Sequence, residues 1–394
     1  MTPDTTTAQA IAGGRVLDPG QGIDRVGTVI VTDGVISAIT GDGADAGPSQ
    51  APAGRTAATA QLDASGLIVV PGLVDLHVHL YRGVSHYGVD ADAFCLGRGV
   101  TTAVDAGSSG AQTFPGLRDY VIARSRTRIL AFLHIAVQGM VSGLLGELED
   151  VRWASVAQAV ERAREHPDVI VGIKVRLGHQ MAGNDPAPAL RLAREAADTL
   201  GLPLMAHAID MRPPIGWLLP YLGRGDIVTH CFHGQPGGIL DADGRLVPEV
   251  RRARERGVLF DVGHGAGSFS YRVARQAIAQ GFAPDTISSD LHTYNVDGPV
   301  YDQATTLSKL LHAGMELPEV IRATTATPAR AAGQDHLGAL VPGREADLTG
   351  LELRSGRWAL PDATGATEVV ERLLVPRLVV RAGEARRLDP DTGR

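Results

Sequence analysis

The chain contains histidine and aspartate residues at positions where side chains of these types commonly bind metal ions. His77 and His79 are two residues apart at the end of an apolar run, so in a strand both point to the same side. Two neutral imidazoles at this spacing can bind one metal ion. The pattern His-x-His is weak evidence by itself, because it occurs by chance in many chains.

Three further residues of this kind end other apolar runs: His207, His230 and Asp290. Any one of them could instead be a hydrogen-bonded histidine of the core or an aspartate that caps a helix. Together with His77 and His79 they make five residues at the ends of four runs, which chance explains poorly. Nitrogen and oxygen ligands of this kind suit Zn²⁺, with Mn²⁺, Fe²⁺ and Co²⁺ as alternatives.

A lysine in an apolar strand adds a second kind of chemistry. Of the 37 lysine and arginine residues only two are lysines, Lys174 and Lys309, and Lys174 lies within an apolar run. Burial lowers the pKa of a lysine, and the neutral amine can add carbon dioxide to form a carbamate. The carbamate is a carboxylate on a long stem and could bridge two metal ions. An arginine stays protonated and therefore cannot form a carbamate. The alternative is a buried ion pair between Lys174 and an acid.

The elements that would position these residues are short apolar runs that alternate with helical stretches. The eight runs are Leu67–Leu80, Val100–Ala106, Ile129–Val137, Val169–Val175, Leu202–Ala208, Asp226–Cys231, Val258–Val262 and Thr286–Asp290. The helical stretches include Val156–Glu165, Ala187–Leu200, Val247–Arg256 and Phe269–Gln280. This pattern predicts an α/β fold, a (β/α)₈ TIM barrel over residues 71–344 with the polar residues at its C-terminal mouth. A doubly wound open sheet is the alternative.

The two ends of the chain predict a second, smaller domain. Residues 1–70 contain the strand-like segments Arg15–Leu17, Thr28–Thr32 and Val35–Ile39, and Asp33-Gly34 is typical of a hairpin turn. Residues 345–394 contain Ala346–Leu351 and Val369–Val380. We expect these segments to pair in a small β-sandwich built from both termini, with a loose loop over Gly41–Ala60.

Composition excludes several classes of protein. The 394 residues carry a net charge of −7, so no basic surface for nucleic acid or an anionic membrane is expected. The two cysteines, Cys95 and Cys231, exclude a disulfide framework. No apolar stretch is long enough to span a membrane, and the first residues do not resemble a signal peptide. We therefore expect a cytoplasmic protein that acts on a small-molecule substrate and binds neither nucleic acid nor membrane. The oligomeric state is left open, with a homo-oligomer as one alternative.

With these residues in view, the chain resembles the amidohydrolase superfamily, in particular its dihydroorotase-like branch and the subgroup of amidohydrolase/deacetylase metallohydrolases. The resemblance rests on the ordered set His77-x-His79, Lys174, His207, His230 and Asp290, and on the segments 99–107, 229–234, 261–269 and 289–292. It implies two divalent metal ions, most simply Zn²⁺, and N6-carboxylysine at Lys174 as the bridge. His77, His79 and Asp290 would bind one ion, and His207 and His230 the other.

One position departs from the dihydroorotase pattern. Dihydroorotases commonly carry His-x-His-x-Arg, whose arginine binds the substrate carboxylate, but here Tyr81 has that place and Arg82 follows. The sequence therefore favours a metal-dependent deacetylase or deacylase that cleaves an amide or ester of a small N-acyl or O-acyl compound. A metal-bridging hydroxide would attack the carbonyl, and Asp290 would transfer the proton. The alternatives are a cyclic amide hydrolase of the dihydroorotase or hydantoinase type and a non-catalytic scaffold.

Three residues are candidates for substrate binding. Arg176 shares a strand face with Lys174 and could bind a substrate carboxylate, although a structural ion pair is equally compatible with the sequence. His264 lies in a glycine-rich segment at a strand end, where it could orient a carbonyl or carboxylate. His292 follows the last run. The weaker candidates are His233, Gln235, Tyr294 and Asn295.

Overall fold

The computed structural model describes residues 8–41 and 60–389 of the chain. The strands are β1 Ala8–Asp18, β2 Ile23–Thr32, β3 Val35–Gly41, β4 Ala60–Asp63, β5 Ile68–Pro71, β6 Leu73–Val78, β7 Val100–Gly110, β8 Arg128–His134, β9 Ile170–Arg176, β10 Leu204–His207, β11 Ile227–Thr229, β12 Leu259–Phe260, β13 Leu348–Pro361, β14 Thr367–Arg381 and β15 Glu384–Arg387. The α-helices are α1 Ala91–Phe94, α2 Phe114–Tyr120, α3 Val156–Glu165, α4 His179–Ala182, α5 Ala187–Leu200, α6 Ile215–Leu218, α7 Pro248–Glu255, α8 Tyr271–Ala279, α9 Gln303–Ala313, α10 Leu317–Ala323 and α11 Ala326–Ala331. In this part of the chain, no helix combines the length and apolar character needed to cross a bilayer.

Seven strands form one parallel sheet in the order β6 to β12, and an eighth segment closes it into a barrel. Residues 286–291 bridge to Asp261 on one side and to Val78 on the other, both in the parallel sense. The backbone N–H of His79 donates to the Leu291 carbonyl at 3.0 Å, which completes the ring. The predicted (β/α)₈ barrel is therefore confirmed.

Apolar side chains from six of the barrel strands form one cluster, as expected for the filled interior of such a barrel. Its members on β6 to β11 are Leu76, Val104, Ala106, Leu130, Phe132, Val171, Met205 and Ile227. The helices α3 and α5 have the bounds predicted for them. Ser155 caps α3 by accepting from Gln158 N, and α5 is followed by Gly201, whose φ of 65° suits glycine.

The ends of the chain meet in a second sheet, as predicted. Its order is β15–β14–β13–β5–β1–β2–β3, with β4 beside β1. The turn between β2 and β3 is at Asp33 and Gly34, which both have positive φ, as a tight hairpin turn requires. Most of the predicted loop Gly41–Ala60 lies outside the described residues.

Two predicted strands differ from the observed ones. The run Leu67–Leu80 is divided at Gly72 into β5, which belongs to the terminal sheet, and β6, which belongs to the barrel. A side chain at position 72 would collide with the Thr101 hydroxyl, so glycine allows the close approach at this crossing. The run Thr286–Asp290 is held by isolated bridges rather than by a regular strand.

The hairpin of β13 and β14 reaches from the terminal sheet to the barrel. At its tip, Ala363 N donates to the Phe269 carbonyl at 3.0 Å, and the Asp362 carboxylate accepts from Tyr271 N at 3.1 Å. Helix α9 packs along β14, where Leu374 N donates to Ser308 Oγ at 2.9 Å. The terminal sheet thus contacts segments that follow barrel strand β12 and the eighth barrel segment.

Candidate functional site

The six residues predicted as metal ligands lie together at the C-terminal end of the barrel strands. Asp290 Oδ1 is 3.4 Å from His77 Nε2 and 3.2 Å from His79 Nε2. Lys174 Nζ is 3.3 Å from His77 Nε2. The His230 ring centroid is 5.0 Å from that of His77 and 4.5 Å from that of His207. The fold therefore brings side chains from five separate segments to one point.

Two of these residues have unusual backbone conformations. His230 has a φ of 68° and Asp290 a φ of 48°, in the left-handed region that non-glycine residues seldom adopt. The backbone N–H of Asp290 donates to the His77 carbonyl at 2.7 Å, and the Asn295 side chain donates to the Asp290 carbonyl at 2.8 Å. These bonds hold Asp290 in this conformation, and such strain is concentrated at functional sites.

The four histidines are neutral near pH 7. Burial lowers the pKa of His79 and of His230 to about 3. It also lowers the pKa of His77 and of His207 well below 6.5, and neighbouring cationic groups lower them further. Each ring can therefore offer a lone pair to a metal ion.

Hydrogen bonds orient three of these rings, and those of His77 and His230 also fix the position of the ring proton; His79 Nδ1 bonds to the Ser108 hydroxyl at 2.9 Å. His77 Nδ1 bonds to the Thr229 hydroxyl at 2.9 Å, and that hydroxyl donates to Asp261 at 2.8 Å. His230 Nδ1–H donates to the Gly263 carbonyl at 2.7 Å. Because Nδ1 is the donor in both, the lone pair of Nε2 faces the cluster. Carboxylate and carbonyl partners of this kind orient metal-binding histidines in proteins.

The donor set fits a metal ion. Ligand atoms of His77, His230 and Asp290 all lie within 4.8 Å of one another. Among the described residues, His207 Nε2 is a buried nitrogen without a hydrogen-bond partner. Buried polar atoms are rarely left unpaired, so a ligand at this point would explain it. Imidazole nitrogens and a carboxylate oxygen together suit zinc and similar divalent ions.

Lys174 is fully buried and forms no ion pair with a carboxylate anywhere in the described residues, in contrast to the alternative considered from the sequence. Its Nζ contacts His77 Nε2 and Met205 Sδ, each at 3.3 Å. Burial lowers the pKa of Lys174 to about 7, although the charge of Asp290 opposes this. Gly107 lies against the lysine stem, where a side chain would crowd it. A substantial share of neutral amine is thus available near neutral pH.

Arg176 is engaged in a buried ion pair, one of the two roles that the sequence left open. Its Nε is 3.3 Å from Glu147 Oε1, which is also 3.3 Å from His134 Nε2. Ala136 N donates to His134 Nδ1, so the proton of the neutral ring is on Nε2 and faces Glu147. The guanidinium also lies 5.6 Å from the centre of the Tyr87 ring. A substrate contact by Arg176 stays a prediction.

The other two predicted substrate-binding residues have different surroundings. His292 lies beside the cluster, with its ring centroid 6.3 Å from that of His79 and 4.7 Å from that of Tyr87. His264 is fully buried and has both ring nitrogens bonded to the protein, Nδ1 to the Gly265 carbonyl and Nε2 to Lys309 Nζ. This geometry favours a supporting role for His264 over a direct substrate contact.

Several supporting residues were missed from the sequence. Thr229 and Asp261 end strand-like runs as the histidines do, and this position was a usable signal. Glu147 and Tyr87 lie in loops, where no pattern of spacing marks them. Tyr81, at the position of the dihydroorotase arginine, donates its hydroxyl to the Thr113 carbonyl at 3.0 Å, and Arg82 is exposed. The bonded hydroxyl of Tyr81 therefore does not replace that arginine.

Comparison with known proteins agrees with this geometry. Residues 270–385 match the amidohydrolase family. A deacetylase of Agrobacterium fabrum is 37% identical over 369 residues, which are 93% of this chain and 88% of that protein. A solved structure described as an adenine deaminase is 29% identical with a TM-score of 0.88, covering 97% of this chain and 100% of the other. A solved dihydroorotase is 34% identical with a TM-score of 0.87, covering 97% and 99%.

Proposed function

Since the chain belongs to the amidohydrolase superfamily and to its dihydroorotase-like branch, we propose that it is a metal-dependent deacylase of small molecules. Membership in this superfamily makes it a hydrolytic enzyme that acts on C–N bonds other than peptide bonds. The substrate we propose is a small N-acyl or O-acyl compound that bears a carboxylate. The observation that carries this proposal is the cluster of neutral histidines and Asp290 around a buried lysine that pairs with no acid among residues 8–41 and 60–389.

We assign the metal ligands as the sequence suggested: His77, His79 and Asp290 for one ion, and His207 and His230 for the other. Carboxylated Lys174 would supply the oxygen atoms between them, and zinc is the metal we propose. The 3.3 Å separation of Lys174 Nζ from His77 Nε2 supports this arrangement, because both groups already face one point. When bound, divalent ions polarise a substrate carbonyl and lower the pKa of a coordinated water molecule to about 7.

Asp290 is the residue we propose for proton transfer. Its carboxylate faces the histidine cluster and can accept one proton from the water that adds to the carbonyl carbon. When the C–N or C–O bond breaks, the same proton passes to the leaving amine or alcohol. The products are then a carboxylic acid and an amine or alcohol, and the carboxylate of Asp290 is regenerated.

Three side chains beside the cluster suggest where the rest of the substrate lies. Arg176, Tyr87 and His292 are contributed by three different segments beside the cluster. Arg176 is already neutralised by Glu147, so a substrate carboxylate would have to share the guanidinium with that residue. Its Nε makes no hydrogen bond within the described residues, and its five N–H groups could serve both partners.

A cyclic amide hydrolase is the second candidate, and the solved dihydroorotase at 34% identity favours it. The residue at position 81 argues against it: Tyr81 stands where dihydroorotases commonly carry an arginine, and a bonded tyrosine hydroxyl cannot replace a guanidinium.

The test is a panel of N-acetyl and O-acetyl carboxylic acids assayed beside dihydroorotate and hydantoins, with the zinc-loaded and the chelator-treated protein. We expect hydrolysis of acyclic acyl compounds that chelation abolishes and zinc restores. Efficient ring opening of dihydroorotate, with no turnover of any acyl compound, would support the second candidate instead. Turnover that survives complete metal removal would contradict both.

A further inference from the structure

The second lysine of the chain, Lys309, is fully buried in helix α9 and joins three segments. Its Nζ donates to the Pro299 carbonyl at 2.6 Å, to the Pro361 carbonyl at 2.7 Å and to His264 Nε2 at 2.9 Å. These acceptors lie before α9, at the end of β13 and after β12. Three acceptors require three N–H donors, which the protonated amine has and the neutral amine lacks.

The segment that carries His264 touches two of the proposed site residues. The Gly263 carbonyl accepts from His230 Nδ1 at 2.7 Å. Gly265 lies against Asp290 so closely that a side chain at position 265 would collide with the carboxylate. Gly265 N also donates to the Ser289 carbonyl at 3.0 Å, next to Asp290. Residues 263–265 are therefore a short support that contacts a proposed metal ligand on one side and the proposed proton carrier on the other.

The bond from Lys309 determines how His264 sits in that support. His264 Nδ1–H donates to the Gly265 carbonyl at 3.0 Å, so its Nε2 is an acceptor that needs a donor. Lys309 is that donor, and Phe269 stacks on the ring with 4.6 Å between the ring centroids. Without the ammonium, a buried ring nitrogen and two carbonyls would lose a partner, which the segment could relieve only by moving.

We propose that Lys309 is a positioning residue that holds residues 263–265 in place and through them orients His230 and Asp290. This inference rests on the proposed function, since it takes His230 as a metal ligand and Asp290 as the proton carrier. It also gives the hairpin of β13 and β14 a role at the site, because the Pro361 carbonyl at its end is one of the three acceptors.

The test compares Lys309→Met with wild type, both as full-length zinc-loaded enzyme. Methionine has a similar length and no donor. We expect kcat to fall about 10- to 100-fold with KM changed much less, since supporting partners of metal ligands typically have effects of this size. Zinc affinity, measured by competition with a chromophoric chelator, should fall as well. That readout does not depend on identifying a substrate, so it separates failure of this inference from failure of the proposed function.

Two further variants keep the test decisive. Lys309→Gln retains two N–H donors, and we expect values between those of wild type and Lys309→Met; it also serves if the methionine variant does not fold. Ser308→Ala is the matched control, because the hydrogen bonds of the Ser308 hydroxyl, with Leu374 N and the Ala304 carbonyl, join α9 to β14 and do not involve residues 263–265. It should lose stability but keep kcat and zinc affinity. Wild-type kcat and zinc affinity in both Lys309 variants, or equal losses in Ser308→Ala, would overturn the proposal.

Discussion

The buried pair of Glu147 and Arg176 gives the sharpest prediction about stability. Their side chains are 6% and 7% exposed, and Glu147 also faces the Nε2–H of His134. Burial alone would raise the pKa of Glu147, but Arg176 and His134 outweigh it and lower that pKa from 4.5 to about 2. The change Glu147→Gln keeps the size of the side chain and removes its charge, so Arg176 would be left buried without a counter-ion.

The expected loss in the free energy of unfolding can be calculated from this pKa. At about 1.4 kcal/mol for each tenfold change in a protonation equilibrium, the lowering corresponds to about 3 kcal/mol. Loss of one partner from a buried ion pair typically costs about 3–5 kcal/mol, so the two figures agree. We therefore expect Glu147→Gln to lower the free energy of unfolding by about 3 kcal/mol at pH 7.

The pH dependence follows from the direction of the pKa change. The pKa of Glu147 in the folded protein is below its unfolded value, so the stabilisation is complete above about pH 4.5 and is lost as the pH falls towards 2. Glutamine does not titrate. The difference between wild type and variant should therefore be largest at neutral pH and shrink steadily below pH 4.5.

The assay is urea denaturation followed by circular dichroism at pH 7 and at steps down to pH 3, on proteins with equal zinc content. Glu165→Gln is the control, because Glu165 pairs with Arg162 on the exposed side of α3 and should contribute far less. Equal stability of Glu147→Gln and wild type at pH 7, or a difference that is unchanged at pH 3, would refute the reasoning.

Three further predictions concern the proposed metal site. Lys174→Ala should lose zinc and activity, and short carboxylic acids added with zinc should partly restore both, because the bridge needs only a carboxylate; full activity without the acids would exclude a bridging role. Asp290→Asn should lower kcat by about 10²- to 10⁴-fold while elemental analysis still finds most of the zinc, since the amide cannot accept the proton. Thr229→Val should weaken zinc binding about 10- to 100-fold in chelator competition by releasing His77 from Asp261, with wild-type affinity as the contradicting result.

The barrel and the proposed ligands could be predicted because they depend on short-range patterns. An apolar run that ends in histidine or aspartate indicates both a strand and the side chain that this strand places at the mouth of the barrel. Strand β10, which ends at His207, is an example. The division of Leu67–Leu80 at Gly72 could not be read in this way, since both halves are apolar and only the three-dimensional crossing with Thr101 requires the glycine.

The supporting residues were harder to predict, because their partners are distant in the sequence. Glu147 reaches Arg176 from a loop, and Lys309 reaches His264 from a helix 45 residues further along the chain. The composition did mark Lys309 as unusual, but the pattern around it is that of an ordinary buried helix. His264 was predicted to contact substrate because its glycine-rich surroundings are typical of functional loops. The tertiary bond to Lys309 is what favours a different role.

The burial of both lysines has a consequence for how this protein can be handled and followed in solution. Lys174 and Lys309 are the two ε-amines of the chain, and each side chain is fully enclosed. Amine-reactive reagents such as succinimidyl esters or acetic anhydride should therefore modify neither lysine on the native protein, Lys309 because it is enclosed and Lys174 because its proposed carboxylated form has no free amine. Label on Lys309 would report that the helix and the hairpin around it have separated, so the rate of Lys309 acylation measures local unfolding.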